Sequence, residues 1–183
     1  MFKTTEGMSA MLATSEPATR AINDVVHSTL QQAGIRQPPV DAFEIAARLG
    51  IRVCVSQAQA GRGRLVQLRK APATILLRDE PRSERAHWTV AHEIGEFLMP
   101  EIARKWLDEM GTLDATVREW LANRFAHALL TPSEWFFRDA NQLGHDLFDI
   151  KARYATASHE VIALRMLEGG EPIIVTVVDN NRV

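Results

Sequence analysis

The stretch on which the reading of this chain turns is Arg85-Ala86-His87-Trp88-Thr89-Val90-Ala91-His92-Glu93-Ile94-Gly95-Glu96-Phe97-Leu98. Its apolar residues recur at helical spacing, and the helix they predict runs from Ser83 to Met99, with Pro100 ending it. Residues three and four apart share a helix face, so His92 and Glu96 point the same way, with Arg85, Thr89 and Glu93 near them. Val90, Ala91, Ile94, Phe97 and Leu98 cover the rest. Such a helix is largely buried with one polar stripe, and a buried carboxylate or imidazole needs a partner. A divalent metal is one such partner. His-Glu-x-x-His on a helix is the pattern in which two histidines hold zinc and the glutamate is general base. Here the last position is Glu96, a carboxylate and therefore still a competent zinc ligand. On its own, a His and a Glu four apart also describe a solvated polar pair.

Downstream, Asp114 to Leu130 is a second strong helix. Glu119 and Asn123 share a face on it, beside an apolar stripe of Leu121, Ala122, Phe125, Ala126 and Leu129. A zinc site with two ligands on one helix commonly takes its third from a later one, and an acidic third ligand completes a catalytic set with one open position. Asn123, one turn on, is placed to hydrogen-bond a ligand. Between the two helices, Trp106 to Met110 is a weaker helical stretch closed by Gly111. Beyond them, Thr131-Pro132-Ser133-Glu134 starts a helix running toward Ala140. Ile150 to Leu167 reads as two short helices around Ala155-Thr156-Ala157, and the β-branched run Ile173 to Val178 reads as a late strand.

Upstream, Ile22, Val25, Val26 and Leu30 mark a helix closed by Gly34, and Asp41 with Glu44 starts another, which Gly50 stops. Ile51, Val53 and Val55 alternate as a strand. Leu65–Leu68 and Thr74–Leu77 read as a hairpin joined around Lys70-Ala71-Pro72. Helix, strands, then helices make the fold class α+β. The organisation expected is a mobile leader over 1–18, a domain over 19–140, and a helical extension with the late strand over 141–183.

The 183 residues suffice for one domain without disulfide staples. The net charge of −2 excludes a broad electrostatic footprint for nucleic acid. A single cysteine, Cys54, fits a reducing compartment. Residues 1–17 lack the apolar core of a secretory signal, and no apolar run approaches the ~20 residues needed to span a bilayer. The expected location is the cytoplasm, with no membrane partner.

The first stretch resembles the active-site helix of the ImmA/IrrE metallopeptidases, in outline Arg-x-x-Phe-Thr-x-Ala-His-Glu-x-Gly-His. The run Glu119-Trp120-Leu121-Ala122-Asn123-Arg124-Phe125-Ala126-His127-Ala128-Leu129-Leu130-Thr131-Pro132 resembles that family's second signature, Glu-x-x-Ala-Asn-x-Phe-Ala-x-x-Leu-Leu-x-Pro, in the expected order. A looser likeness covers residues 20–167. The resemblance implies a zincin-like fold with a small sheet on helices and one divalent metal, zinc foremost, with manganese or iron as alternatives. By position His92 and Glu119 match metal ligands and Glu93 the general base, while Glu96 stands where the family has its second histidine. It further implies a peptidase acting on a protein substrate such as a helix-turn-helix transcriptional repressor, in stress-response or mobile-element settings. The alternative is a catalytically weak or inactive module that binds or senses a regulatory partner. If His92, Glu96 and Glu119 all bind, two carboxylates cancel the charge of the ion. That weakens it as a Lewis acid and tilts preference toward harder ions.

Of the remaining candidates, His87 is read as an ordinary surface or core residue, His127 as a structural histidine with a substitute ligand or oxyanion stabiliser as the alternative, and Arg85 and Arg124 as partners in salt bridges. Residues 149–167 have a helix-turn-helix flavour. However, Ser158–Leu167 offers only Arg165 and His159 against Glu160, so a packing unit is expected there and no direct contact with nucleic acid. The four tryptophans are read as core or groove lining.

Overall fold

The computed structural model describes residues 16–106 and 113–176. Eight helices and three strands follow in the order α1 (Glu16–Ala33), α2 (Ala42–Arg48), β1 (Arg52–Val55), β2 (Gly63–Val66), β3 (Thr74–Leu77), α3 (Ser83–Phe97), α4 (Met99–Trp106), α5 (Ala115–Leu130), α6 (Ser133–Gln142), α7 (Leu147–Arg153) and α8 (His159–Met166). The class is α+β.

The first two helices end as their sequences dictate. Gly34 and Gly50 both sit at φ +73°, the left-handed conformation that closes a helix and that glycine adopts without a Cβ penalty. Asp41 caps α2 by accepting from the Phe43 and Glu44 amides, and Asp114 caps α5 by accepting from Val117. Pro100 corrects the simpler expectation. The helix expected over Ser83–Met99 stops at Phe97, and Pro100 is the second residue of a new helix, where its missing N–H removes no intrahelical bond. Of the weak helix expected over Trp106–Met110, Trp106 ends α4 and residues 107–110 lie outside the described residues. The expected leader over 1–18 lies outside them too, except for residues 16–18, which begin α1.

The sheet has the order β1-β3-β2. β2 and β3 pair antiparallel, as the hairpin reading expects, with Gly63 opposite Leu77 and Val66 opposite Thr74. β2 begins upstream of the expected Leu65, because Gly63 is drawn against α3, and Leu68 is left exposed. β1 pairs parallel to β3, Arg52 opposite Thr74. The late strand expected over Ile173–Val178 is not formed over residues 173–176. That run finds no partner strand among the described residues, and Ile174 is 93% exposed. Residues 177 and 178 lie outside the described residues.

One apolar core joins α1, α2, the inner face of the sheet, α3, α5 and the late helices, with Ile22, Ile45, Ile75, Ile94, Phe125 and Ile162 among its residues. Its tightest crossing is between α3 and α5. A Cβ on Gly95 would lie 3.0 Å from Phe125 Cδ1 and 3.2 Å from the Ala122 Cα, so a larger residue would push the two helices apart by a few tenths of an ångström. The crossing carries Glu119 and Asn123 to the polar stripe of α3. No described helix is long and apolar enough to cross a membrane.

Candidate metal centre

Around this crossing the structure brings together four of the five residues singled out in the sequence: His92 and Glu96 from α3, Glu119 and Asn123 from α5. Each of His92, Glu96 and Glu119 offers a ligand atom, and these atoms lie within 4.8 Å of one another. His92 Nε2 is 3.7 Å from Glu119 Oε2. Bond lengths of ~2.0–2.2 Å to zinc require ligand atoms a little closer than this. Glu119, whose side chain is 62% exposed, is free to swing in. One imidazole nitrogen and two carboxylate oxygens suit zinc, manganese or iron, so the donor set fits a divalent ion.

Asn123 fixes the imidazole. His92 Nδ1 and Asn123 Oδ1 are 2.9 Å apart, and the Asn123 amide nitrogen donates to Glu119 Oε1 at 3.3 Å. Only one amide orientation serves both contacts, with the oxygen facing His92. Nδ1–H then donates to Asn123 and leaves the lone pair on Nε2, the nitrogen that faces Glu119. Trp88, one turn earlier on α3, stacks its ring on His92 at 5.4 Å. The imidazole is thus held on its edge by a hydrogen bond and on its face by an indole.

Glu93, the fifth of these residues, is not among the three ligand candidates. It is only 8% exposed. Its Oε2 accepts the Leu65 amide of β2 at 2.7 Å. Burial pushes its pKa above the ordinary carboxylate range; Glu96 and Glu119 add to this, while His92 and the Leu65 N–H oppose it. A carboxylate raised toward the working pH is a stronger base.

Gly63 makes the close packing of β2 over Glu93 possible. A Cβ there would meet Thr89 Cγ2 at 2.4 Å and Glu93 Oε1 at 3.1 Å. Gly63→Ala is therefore expected to destabilise the protein by about 1–3 kcal/mol, the usual range for overpacking. Adding Thr89→Ser removes the offending methyl and should restore most of the loss. Thermal unfolding of the three proteins checks this; an unchanged midpoint in Gly63→Ala would mean that β2 does not lie this close to α3.

Arg118 is the residue that the sequence reading missed. Its guanidinium donates to Glu96 Oε2 at 2.6 Å from the residue just before Glu119. Where a second histidine would leave the ion's site with net positive charge, a second carboxylate removes one unit, and Arg118 returns it. The only signal in the sequence is the uncompensated Glu96 itself; an arginine on an exposed helix face is otherwise unremarked.

The other candidates fall outside the cluster. His127 packs edge-on to Trp88 at 6.3 Å, and burial pushes its pKa below the ordinary imidazole range. His87 is likewise lowered by burial, and its Nδ1 accepts the Ala42 amide at 3.3 Å. Arg124 pairs with Glu168 at 2.6 Å, whereas Arg85 forms no ion pair among the described residues. In α8, Arg165 is buried, bonded to the Thr131 carbonyl at 3.2 Å and paired with Glu168. The one arginine of that helix is thus turned into the protein.

A Mycobacterium tuberculosis transcriptional regulator of known structure has a similar fold, with a TM-score of 0.63 and 18% identity, covering 82% of this chain and 52% of that one. The chain therefore spans about half the length of that protein. No curated protein matches it in sequence. The model of the IrrE N-terminal-like domain family matches residues 46–167, a span that takes in the sheet and both helices of the cluster as well as α8, and the chain belongs to that family.

Proposed function

We propose that the protein is a metal-dependent peptidase that hydrolyses a peptide bond in a regulatory protein, a helix-turn-helix repressor being the substrate class suggested by the resemblance. The observation that carries this reading is the convergence of His92, Glu96 and Glu119, with a buried, proton-hungry Glu93 beside them. His92, Glu96 and Glu119 would hold one divalent ion, zinc foremost. Bound there, the ion would polarise the scissile carbonyl and acidify a water. Glu93 takes the proton of the attacking water and passes it to the leaving amine. Asn123 holds the His92 tautomer throughout, and β2 over Glu93 keeps that carboxylate dry.

The test is incubation of freshly purified protein, with its metal content measured, with a helix-turn-helix repressor from the same genome. Cutting that needs the metal and stops with a chelator supports the reading. Protein that takes up none of zinc, manganese or iron(II) would sink it.

Glu96 in place of a second histidine, with one oxygen already engaged by Arg118, is the observation that favours a second reading, a module that keeps recognition and has weakened hydrolysis. Tight repressor binding without cleavage under any of these metals would select it. The pair also sets how the site responds to repair. Glu96→His alone leaves Arg118 beside a dication with no carboxylate to face, so repulsion offsets part of the gain. Glu96→His combined with Arg118→Gln removes that repulsion and should bind zinc about tenfold tighter than the parent. The single variant should fall between them. Competition with a chromophoric chelator measures all three; equal affinities in single and double variants would show that Arg118 does not act on the site.

A further inference from the structure

A cleft of about 600 Å³ opens beside the cluster, between the start of α3 and the start of α8. Arg62, Arg82, Arg85, Trp88, Ser158 and His159 line it. Among the described residues none of its three arginines has an ion-pair partner, and all three open on this one cleft. Two carboxylates also reach the cleft. Glu84 is neutralised by Lys151 at 3.2 Å, which leaves Glu160 against three guanidinium groups. In a chain of net charge −2 this is a local excess of positive charge.

Trp88 links the cleft to the metal centre. Arg85, Trp88 and His92 follow one another on one face of α3, and Trp88 both walls the cleft and stacks on His92. Arg85 and His92 are about 10 Å apart along the helix axis at ~1.5 Å per residue. An extended peptide covers that distance in about three residues at ~3.3 Å each.

We infer that this cleft is a substrate subsite for an acidic side chain of the protein substrate, lying about three residues from the bond positioned at His92. The inference rests on the peptidase reading and names the substrate's chemistry. The overall negative charge of the chain disfavours the alternative of a phosphate backbone, which carries one charge per nucleotide along its whole length. Carboxylates of Asp or Glu suit the forked guanidinium donors, which bind them through two parallel hydrogen bonds.

The test uses binding, so that it does not depend on cleavage. Zinc-loaded Glu93→Gln protein is titrated into a labelled twelve-residue peptide carrying a Glu-Asp-Glu run, and into its Gln-Asn-Gln counterpart. The acidic peptide should bind about tenfold more tightly at low salt, as two or three partly screened pairs would give. That preference should shrink toward 0.5 M salt. It should also vanish in Arg82→Gln/Arg85→Gln but persist in Arg104→Gln, a control at an exposed arginine of α4. Equal binding of the two peptides, or a preference that survives the double change, overturns the subsite. So does a single-stranded oligonucleotide that binds the cleft more tightly than the acidic peptide. Acidic binding without repressor cleavage would leave the subsite standing and remove the peptidase reading; cleavage indifferent to acidic residues would do the reverse.

Discussion

Replacing Glu93 with glutamine is expected to lower kcat/KM for repressor cleavage by roughly 100- to 10,000-fold, the usual contribution of a positioned general base. Metal content and fold should not change. The glutamine keeps an oxygen for the Leu65 amide, which Glu93 now accepts at 2.7 Å. It also relieves the burial of a charge that is held above its ordinary pKa. The protein should therefore be no less stable than the parent. Glu93→Ala would be a poorer test, because it leaves the Leu65 N–H without a protein acceptor and confuses lost chemistry with lost structure. Cleavage that persists within tenfold of the parent in Glu93→Gln would place the base elsewhere.

The second large effect is expected at His92. It is the one nitrogen donor of the cluster, and its Nε2 is presented by the bond from Nδ1 to Asn123. Loss of an outer partner of a metal ligand typically costs roughly 10- to 100-fold in affinity, and loss of the ligand itself costs more. His92→Ala should thus weaken zinc binding by more than about 100-fold, and purified protein should carry little metal. Trp88 loses its stacking partner but stays at the wall of a half-open cleft, so melting of the metal-free protein should move little. An unchanged zinc Kd would mean that the ion, if bound, sits away from α3.

Much of this site is legible in the sequence because its information is local. Helical spacing alone places His92 with Glu96 and Glu119 with Asn123, and the cap at Asp41 and the stops at Gly34 and Gly50 announce themselves by residue type. What is not legible depends on partners far along the chain. The pairing of β1 with β3 passes over β2, and nothing in Arg52–Val55 specifies a parallel neighbour. Ile173–Thr176 has strand composition but no strand beside it among the described residues. Pro100 looks like a stop and turns out to begin a helix. Arg118 reads as one more exposed arginine until the crossing of α3 and α5 sets it against Glu96. Arg85 is the converse: it reads as a salt-bridge former, yet the structure turns it toward the cleft without a partner.

The contact of Gly95 with Ala122 and Phe125 separates two properties that a metal site usually mixes. Backbone approach decides where donor atoms stand, and it is set by small and aromatic residues that never touch an ion. The chemical nature of each donor is then a matter for the side chain alone. An imidazole and a carboxylate at position 96 would project from the same backbone, and neither would require the helices to repack. The scaffold is in this sense a socket whose geometry outlasts the identity of what is plugged into it, so that ion preference can drift faster than fold.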